Sequence, residues 1–444
     1  MKLEFFSNYR LITYQFYLIL SIPFLLITGP FLSDLVVVLI SIFFLIYVIK
    51  NKEFNYFKSA FFKLFSIVYL YLIIISIFSD HSLFSLKSSL PYFRFCLLSL
   101  SLWLVLDNRP YLIKYLFFIL LIIYTFLIFD GLKQFFTKEN FFGMYLASGH
   151  RVTSLFGEEA KLGSYLARFF PLFFACLIYV YKLNKKKIYF FYFSVVFILT
   201  DILIFITAER TALFIVNFAA ILLIFLLSNF KKLRFYSLIT SILAFLVISV
   251  YYPAAKIRIV DQTLNQIGFS KKTVQNFLSD DETYKEHIGV YFKENERFYI
   301  FSEQYDNIYR TSIKIFNENK IFGIGPKNFR KYCDSPNFLI GNGCSTHPHN
   351  TYIQILTESG IIGLILISLL FLLFVYSFIS HFYKLYFNRK PYFSDFEISL
   401  MICIFITLWP IIPGGNFFNN WLSIVYFYPV GFLIWSLKKN KIIN

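Results

Sequence analysis

STHPHNTYIQILTESGIIGLILISLLFLLFVYSF, residues 345–378, carries the chain from a polar loop into a long apolar helix. The apolar part is long enough to cross the core of a bilayer, which is about 30 Å thick. Its two histidines therefore lie where a loop meets a membrane. From Asn350 onward the pattern is continuously helical, and Gly360 and Gly363 fall about two to three turns in, where small residues let another helix pack closely.

The composition indicates a membrane protein. The chain has 444 residues, of which 58% are hydrophobic, 22% aromatic and only 15% charged, and its mean hydropathy is +0.64. No soluble globular domain has this composition. The apolar runs predict an all-α polytopic bundle with about twelve spans: 11–29, 31–50, 61–79, 90–106, 111–130, 162–182, 188–207, 210–228, 234–252, 351–379, 396–412 and 421–437. The polar start has no small-residue cleavage site, so the first run is expected to remain as a span.

Membrane orientation accounts for the net charge of +17. With the N-terminus inside, the predicted cytoplasmic tails and loops hold 21 of the 42 Lys and Arg residues and only five of the 25 acidic residues. Short cytoplasmic loops of membrane proteins are enriched in Lys and Arg, so both termini are expected in the cytoplasm. The charge excess is therefore a positive-inside signal and does not indicate nucleic-acid binding.

Two predicted outer segments are too long to be simple connectors. The first runs from Asp130 to Lys161 and the second covers 253–349. We therefore expect a bundle of about nine spans over 1–252, a large and mainly helical periplasmic loop over 253–349, and about three further spans over 350–444.

The five cysteines divide by location. Cys96, Cys176 and Cys403 lie in apolar runs and are expected to behave as small hydrophobic residues. Cys333 and Cys344 are close together in the long loop, where an oxidising compartment would favour a disulfide. The sequence leaves open whether they pair, because the geometry decides.

His349 is the first candidate for chemistry. It precedes a helix whose N-terminal dipole disfavours a cation, so its imidazole is expected to be neutral and able to accept a proton. The alternative is an interfacial or capping histidine. Asn350 is an equally good cap, and His347 is either a second donor or a turn residue before Pro348.

Arginines near span ends are candidates for binding an anion. Arg210 opens a span after almost no loop, and an arginine at a span centre costs about 2.5–3.5 kcal/mol. A compensating anion is one interpretation, and snorkelling to water or pairing with Glu209 is the other. Arg168 and Arg94 lie within apolar runs and raise the same question.

Charged side chains of the first outer segment and the long loop extend this set. Glu158 or Glu159 is expected to neutralise Arg151 or Arg168, in the site or as a structural ion pair. The long loop adds candidate anion ligands that can equally be solvated: Arg297, Arg310, Lys327 and Arg330. Its Gly323-to-Arg330 stretch lacks the ending of a nucleotide-binding P-loop. Zinc spacing, HExxH and dinucleotide patterns are missing from the sequence, so no metal or cofactor is expected.

Together these features resemble the O-antigen ligase family. The resemblance is carried by His349-Asn350 followed after nine residues by Gly360-x-x-Gly363, by Arg210 at the start of a mid-chain span, and by the Gly323-x-Gly325-x-x-x-Phe329 segment, all between about Arg151 and Leu370. It implies a membrane glycosyltransferase that takes a glycan from undecaprenyl pyrophosphate at the periplasmic face of the inner membrane. Ligases of the family pass the glycan to a sugar hydroxyl of lipid A-core, and polymerases pass it to another repeat unit.

The resemblance also implies roles for individual residues. The motif histidine corresponds to His349 and the span-opening arginine to Arg210. At the expected position of a second family arginine this chain has Gln304-Tyr305, so Arg310 is the substitute, with Arg297 behind it.

The expected reaction is an inverting transfer. Arginines hold the pyrophosphate and the histidine takes a proton from the acceptor hydroxyl. Further substrate contacts are expected from His347, Asn350, Arg297, Arg168, Glu158, Arg151 and Arg330. Two alternatives remain: a polymerase of the same family, and a non-enzymatic polysaccharide transporter, for which inverted repeats and broken helices would be typical.

Overall fold

A computed structural model gives the fold of the chain. It describes residues 7–147, 151–184, 188–251, 301–387 and 391–443, with isolated positions between 256 and 263. Within these ranges the secondary structure is helical, apart from two isolated β-bridges that join Glu139 to Tyr145 and Ala147 to Arg151. Arg297 lies outside the described residues.

The helices follow the predicted spans closely. The first ten are α1 (Asn8–Thr28), α2 (Pro30–Asn51), α3 (Ala60–Ile77), α4 (Ser82–Ser89), α5 (Phe93–Asn108), α6 (Leu112–Thr137), α7 (Leu162–Asn184), α8 (Ile188–Ile206), α9 (Arg210–Leu226) and α10 (Lys231–Tyr251). The remaining five are α11 (Glu303–Glu318), α12 (Phe329–Tyr332), α13 (Thr351–Tyr386), α14 (Asp395–Thr407) and α15 (Asn420–Ile443). Each of the twelve predicted spans overlaps a helix. In the described part of the chain, nine helical stretches are long and apolar enough to cross a membrane, whereas α8 and α9 are shorter apolar helices.

Burial separates the centre of the bundle from its periphery. Helices α7 and α14 are almost completely buried, and the long pairs α1–α2 and α5–α15 pack against each other. By contrast, α3 and α10 expose most of their apolar side chains. An apolar surface of this extent marks a face that contacts lipid in a membrane protein.

Long-range contacts join loops that the topology predicts on the same side. Among the predicted outer segments, Arg94 forms an ion pair with Asp34 at 2.7 Å, and Trp421 Nε1 donates to the Leu26 carbonyl at 3.0 Å. Arg94 is therefore a structural ion-pair residue. Among the predicted inner segments, the Ser228 amide donates to Asp395 Oδ1 at 2.7 Å. The contacts agree with helices that alternate in direction as the topology requires.

Arg234 corrects the interpretation of the inner charges. Arg234 is one of the 21 basic residues assigned to the predicted cytoplasmic segments, but its side chain is fully buried and forms a two-pronged ion pair with Asp201, with nitrogen–oxygen distances of 2.7 and 3.0 Å. Ser241 also donates to Asp201 at 2.8 Å. A buried guanidinium needs this paired and hydrogen-bonded setting because it has lost its water.

The described part of the long loop has a small core of its own. Its buried residues are Ile308, Ile315, Ile324, Phe329, Cys333 and Phe338. Cys333 and Cys344 form a disulfide, which answers the question that the sequence left open. Helix α11 lies against α13, and its one apolar face explains the helical periodicity of the loop sequence.

Candidate active site

Helix α13 breaks shortly after its start. Gly360 has φ +64° and ψ −168°, outside the helical region, and the Gly323 segment of the long loop lies against this break. There the Ile324 amide donates to the Thr357 carbonyl at 3.1 Å and the Gly325 amide donates to the Glu358 carbonyl at 2.8 Å. The loop thus satisfies carbonyls that the break releases from the helix.

These contacts correct the role expected for the glycine spacing. The sequence predicted that Gly360 and Gly363 would admit a neighbouring helix. Instead, a loop packs against Gly360. This close approach is possible because glycine has no Cβ, and a Cβ at this position would overlap the carbonyl group of Ile321. Gly360 and the Gly323 segment, about 35 residues earlier in the chain, are therefore the two halves of one contact.

Replacing Gly360 with alanine is expected to destabilise the protein by about 1–3 kcal/mol, since alanine is strained at positive φ and also collides with the loop backbone. Thermal unfolding in detergent measures the effect. Gly415→Ala is the matched control, because a Cβ there meets only Leu422 Cδ2 at 3.8 Å. Equal stability of the two variants would contradict the docking role of Gly360.

His349 immediately precedes the start of α13. Its φ of +55° lies in the left-handed region, which is rare for a residue other than glycine. Its Nε2 lies 3.0 Å from Ser345 Oγ, and its backbone carbonyl accepts from the Gly414 amide at 2.7 Å. Burial lowers the pKa of His349 below its ordinary value of 6.5, so the imidazole is neutral at pH 7.

Asn350 fixes this turn. Its Oδ1 accepts from the amides of Tyr352 and Ile353 at 3.0 and 3.1 Å, and its Nδ2 donates to the carbonyls of Pro410 and Ile412 at 2.7 and 3.2 Å. The side chain that the sequence assigned to substrate is committed to protein partners. Asn350 therefore caps α13 and holds His349 in place.

His347 packs against His349, with ring centroids 4.0 Å apart. Its Nε2 lies 3.4 Å from the Gly414 carbonyl and its Nδ1 lies 3.0 Å from Thr346 Oγ1. Burial lowers the pKa of His347 to about 3, and the neighbouring His349 and Arg330 act in the same direction. Two neutral imidazoles, tilted by 39° to each other, thus pack together just before α13.

Tyr305 of α11 links these imidazoles to the arginines. Its ring is edge-on to the His349 ring, with centroids 5.6 Å apart. Burial raises the pKa of the Tyr305 hydroxyl, and the positive charges of Arg210 and Arg151 oppose that shift. Tyr305 therefore neighbours both guanidinium groups and His349. No sequence pattern marks Tyr305 as a site residue, and the only prediction for this position was that an arginine is absent from it.

Arg210 is the first residue of α9. It follows the tight turn Thr207-Ala208-Glu209, in which Ala208 has φ +56°. Glu209, the N-cap residue, provides no side-chain capping hydrogen bond to α9. Helix N-termini attract anions through their first amide groups and their dipole. The turn thus presents a guanidinium and a helix N-terminus at the same point.

The partner expected for Arg151 and Arg168 is different in the structure. Glu158 is exposed, and Glu159 pairs with Lys161. The carboxylate that interacts with both arginines is Glu209. The carboxylate that acts on Arg168 thus comes from a turn about 40 residues later in the chain, and the same carboxylate also acts on Arg151.

Glu209 joins two helix N-termini. Its Oε1 and Oε2 accept from the amides of Gly163 and Ser164 in α7, at 2.8 and 3.0 Å. A Cβ on Gly163 would lie 2.8 Å from Thr207 Oγ1 and 3.1 Å from Glu209 Cδ, so this approach requires glycine. Burial raises the pKa of Glu209 from 4.5 to about 7, against the lowering effect of these two amides, Arg151 and Arg168.

The remaining arginines occupy different settings. Arg168 is 4% exposed; its Nε donates to Ser164 Oγ at 3.2 Å, while Nη1 has no hydrogen-bond partner among the described residues. Arg310 is exposed and lies 3.9 Å from Asp306 on its own helix, so the structure does not bring it to Tyr305. Arg330 is also exposed, with its guanidinium 6.0 Å from the centre of the Phe84 ring.

The site is thus a cluster of cations and neutral imidazoles at one end of the bundle. In the part of the chain that the structure describes, no group of three or more His, Cys, Asp and Glu side chains is arranged to hold a metal ion. Guanidinium groups and helix amides bind phosphate oxygens, and a neutral imidazole can accept a proton.

A sequence model of a protein family, described as O-antigen ligase, matches residues 193–368. This range includes Arg210, Tyr305, His349 and Gly360, which the structure brings to the same end of the bundle. No curated protein matches the chain.

Proposed function

We propose that the chain, in which residues 193–368 match the O-antigen ligase family model, belongs to that family of membrane proteins acting on lipid-linked glycans and is a ligase-type glycosyltransferase. It moves a glycan from undecaprenyl pyrophosphate to a sugar hydroxyl of lipid A-core. The reaction takes place at the periplasmic face of the bacterial inner membrane, and both termini of the chain lie in the cytoplasm. The observation that carries the proposal is the meeting of Arg210, Arg151 and His349 around Tyr305.

Arg210 and Arg151 bind the leaving group. The pyrophosphate of the donor is esterified at both ends and carries negative charge on each phosphate, which guanidinium groups hold through paired hydrogen bonds. The first amides of α9, to which the N-cap residue Glu209 gives no side-chain hydrogen bond, add further donors. Charge that develops on the phosphate oxygen as the glycosidic bond breaks is stabilised by these fixed positive groups. Arg151 takes the role that the sequence analysis gave to Arg310.

His349 serves the acceptor. The acceptor hydroxyl oxygen attacks the anomeric carbon, the bond from that carbon to the phosphate oxygen breaks, and the pyrophosphate leaves with the electron pair. The hydroxyl proton passes to the unprotonated nitrogen of His349, which is neutral because its pKa is lowered. His347 and Ser345 hold this ring in position. Attack opposite the leaving group inverts the anomeric configuration.

Transfer in proteoliposomes tests the proposal. The purified protein receives undecaprenyl-pyrophosphate-linked glycan and lipid A-core, without any nucleotide. We expect glycan covalently attached to lipid A-core. Elongated glycan on the carrier instead of attachment would identify a polymerase. Glycan moved across the membrane without a new covalent bond would identify a transporter. Either result would overturn the ligase assignment.

A further inference from the structure

Glu209 lies beside the site but has no part in the mechanism above. Its two oxygens bind the α7 N-terminus at Gly163 and Ser164, while its own backbone forms the turn that starts α9. The Glu209 side chain therefore connects the start of α7 to the turn from which Arg210 begins α9. The connection is short, since Ala208 adopts a left-handed conformation and Gly163 lacks the Cβ that would block it.

We propose that Glu209 is a positioning residue: its carboxylate fastens the start of α7 to the turn that presents Arg210, and so sets the spacing of the arginines that bind pyrophosphate. This inference rests on the proposed function and adds a residue that its mechanism does not require. The carboxylate touches neither donor nor acceptor in this role.

The surroundings of the carboxylate support this role. The charged groups that face it are Arg151 from the first outer segment and Arg168 from α7. Arg168 reaches it through Ser164, because its Nε donates to the Ser164 hydroxyl while the Ser164 amide donates to Glu209. A negative charge at this point holds two arginines that would otherwise repel each other and Arg210. One carboxylate thereby organises the cationic side of the site.

Protonation of Glu209 weakens this arrangement as the pH falls. The pKa of Glu209 is raised from 4.5 to about 7, so the charged form is present above about pH 7 and is lost as the pH falls through that value. The protonated carboxyl no longer offers two anionic acceptors to the α7 amides. His349 stays neutral to lower pH, because its pKa lies below 6.5. The first acidic loss of activity is therefore assigned to Glu209.

The test compares the pH dependence of kcat for wild type, Glu209→Gln and Glu209→Asp in the proteoliposome transfer assay between about pH 5.5 and 8.5. A displaced catalytic group costs up to about 100-fold. We expect Glu209→Gln to be roughly 10–100-fold slower than wild type at pH 8 and to lack the inflection near pH 7. We expect Glu209→Asp to recover part of the rate and to retain an inflection. Glu318→Gln, an exposed carboxylate at the end of α11, is the matched control.

The outcomes are separable. Wild-type rates that rise through pH 7, with a flat Glu209→Gln profile, support the positioning role. A Glu209→Gln rate within about twofold of wild type, or an unchanged inflection in that variant, overturns the positioning role of Glu209. The ligase assignment stands in that case, because the wild-type protein still transfers glycan. The pH profile of the wild type also tests the positioning role without any variant. A wild-type transfer rate that is constant from pH 8 to pH 6 excludes control of the rate by the protonation of Glu209. Absence of transfer by the wild type overturns the proposed function and this inference with it.

Discussion

Arg210→Ala should lower the rate of glycan transfer by about 100- to 1,000-fold, the usual loss when one preorganised group is removed from a developing negative charge. The guanidinium stands at the start of α9 and interacts with Tyr305, so its removal leaves the departing pyrophosphate without a main positive partner. Arg210→Lys should keep part of the rate, because lysine retains the charge but lacks the two-pronged geometry.

Single-turnover transfer in proteoliposomes measures this loss without contributions from product release. Arg310→Ala is the contrasting variant, since Arg310 is exposed and its guanidinium lies 3.9 Å from Asp306 on its own helix. We expect its rate to stay within about twofold of wild type. An Arg310→Ala rate that falls as far as that of Arg210→Ala would restore Arg310 as the second pyrophosphate ligand in place of Arg151.

The sequence predicted well those features that depend on neighbours along the chain. Apolar runs of about 20 residues located the helices, and the His349-Asn350 pair was recognised because a cap and a helix start are adjacent in sequence. The loop helix α11 was also expected, since its apolar positions recur with helical spacing. In each case the residues that determine the feature lie within a few helical turns of one another in the sequence.

Features that depend on distant segments were not accessible in the same way. The sequence paired Arg151 and Arg168 with Glu158 or Glu159, whereas the carboxylate comes from Glu209. No local pattern marks that residue, because its role depends on two helix starts that meet only in the folded bundle. For the same reason the sequence did not predict the break at Gly360, because it depends on a loop segment about 35 residues earlier in the chain.

Charge placement shows a further limit. Arg234 matched the positive-inside pattern by its position near a helix end, and yet it is buried against Asp201. Composition rules report where a charge sits along the chain, but burial depends on which helix packs beside it. Tyr305 was overlooked for a related reason: a tyrosine on a loop helix has no distinctive spacing, and its importance comes from lying between Arg210 and His349.

His349→Ala should reduce kcat for transfer by about 100- to 10,000-fold, the range for loss of a general base. Donor binding should change little, since the pyrophosphate is held by the arginines. His347→Ala should have a smaller effect, because the very low pKa of His347 keeps it from accepting a proton at neutral pH. Rates with lipid A-core and affinity for the carrier-linked glycan, measured separately, test both statements.

Added imidazole distinguishes a His349 that accepts the proton from one that only orients the acceptor. A small base can enter the space left in His349→Ala and take the proton, so imidazole should restore part of kcat and should do so more strongly as the pH rises through its own pKa. If His349 only orients the acceptor hydroxyl, its role depends on a ring held in place by a backbone with φ +55°, and free imidazole does not restore the lost rate. No recovery in His349→Ala, with a normal fold by thermal unfolding, would therefore remove the base from this mechanism and leave the arginines as its chemical centre.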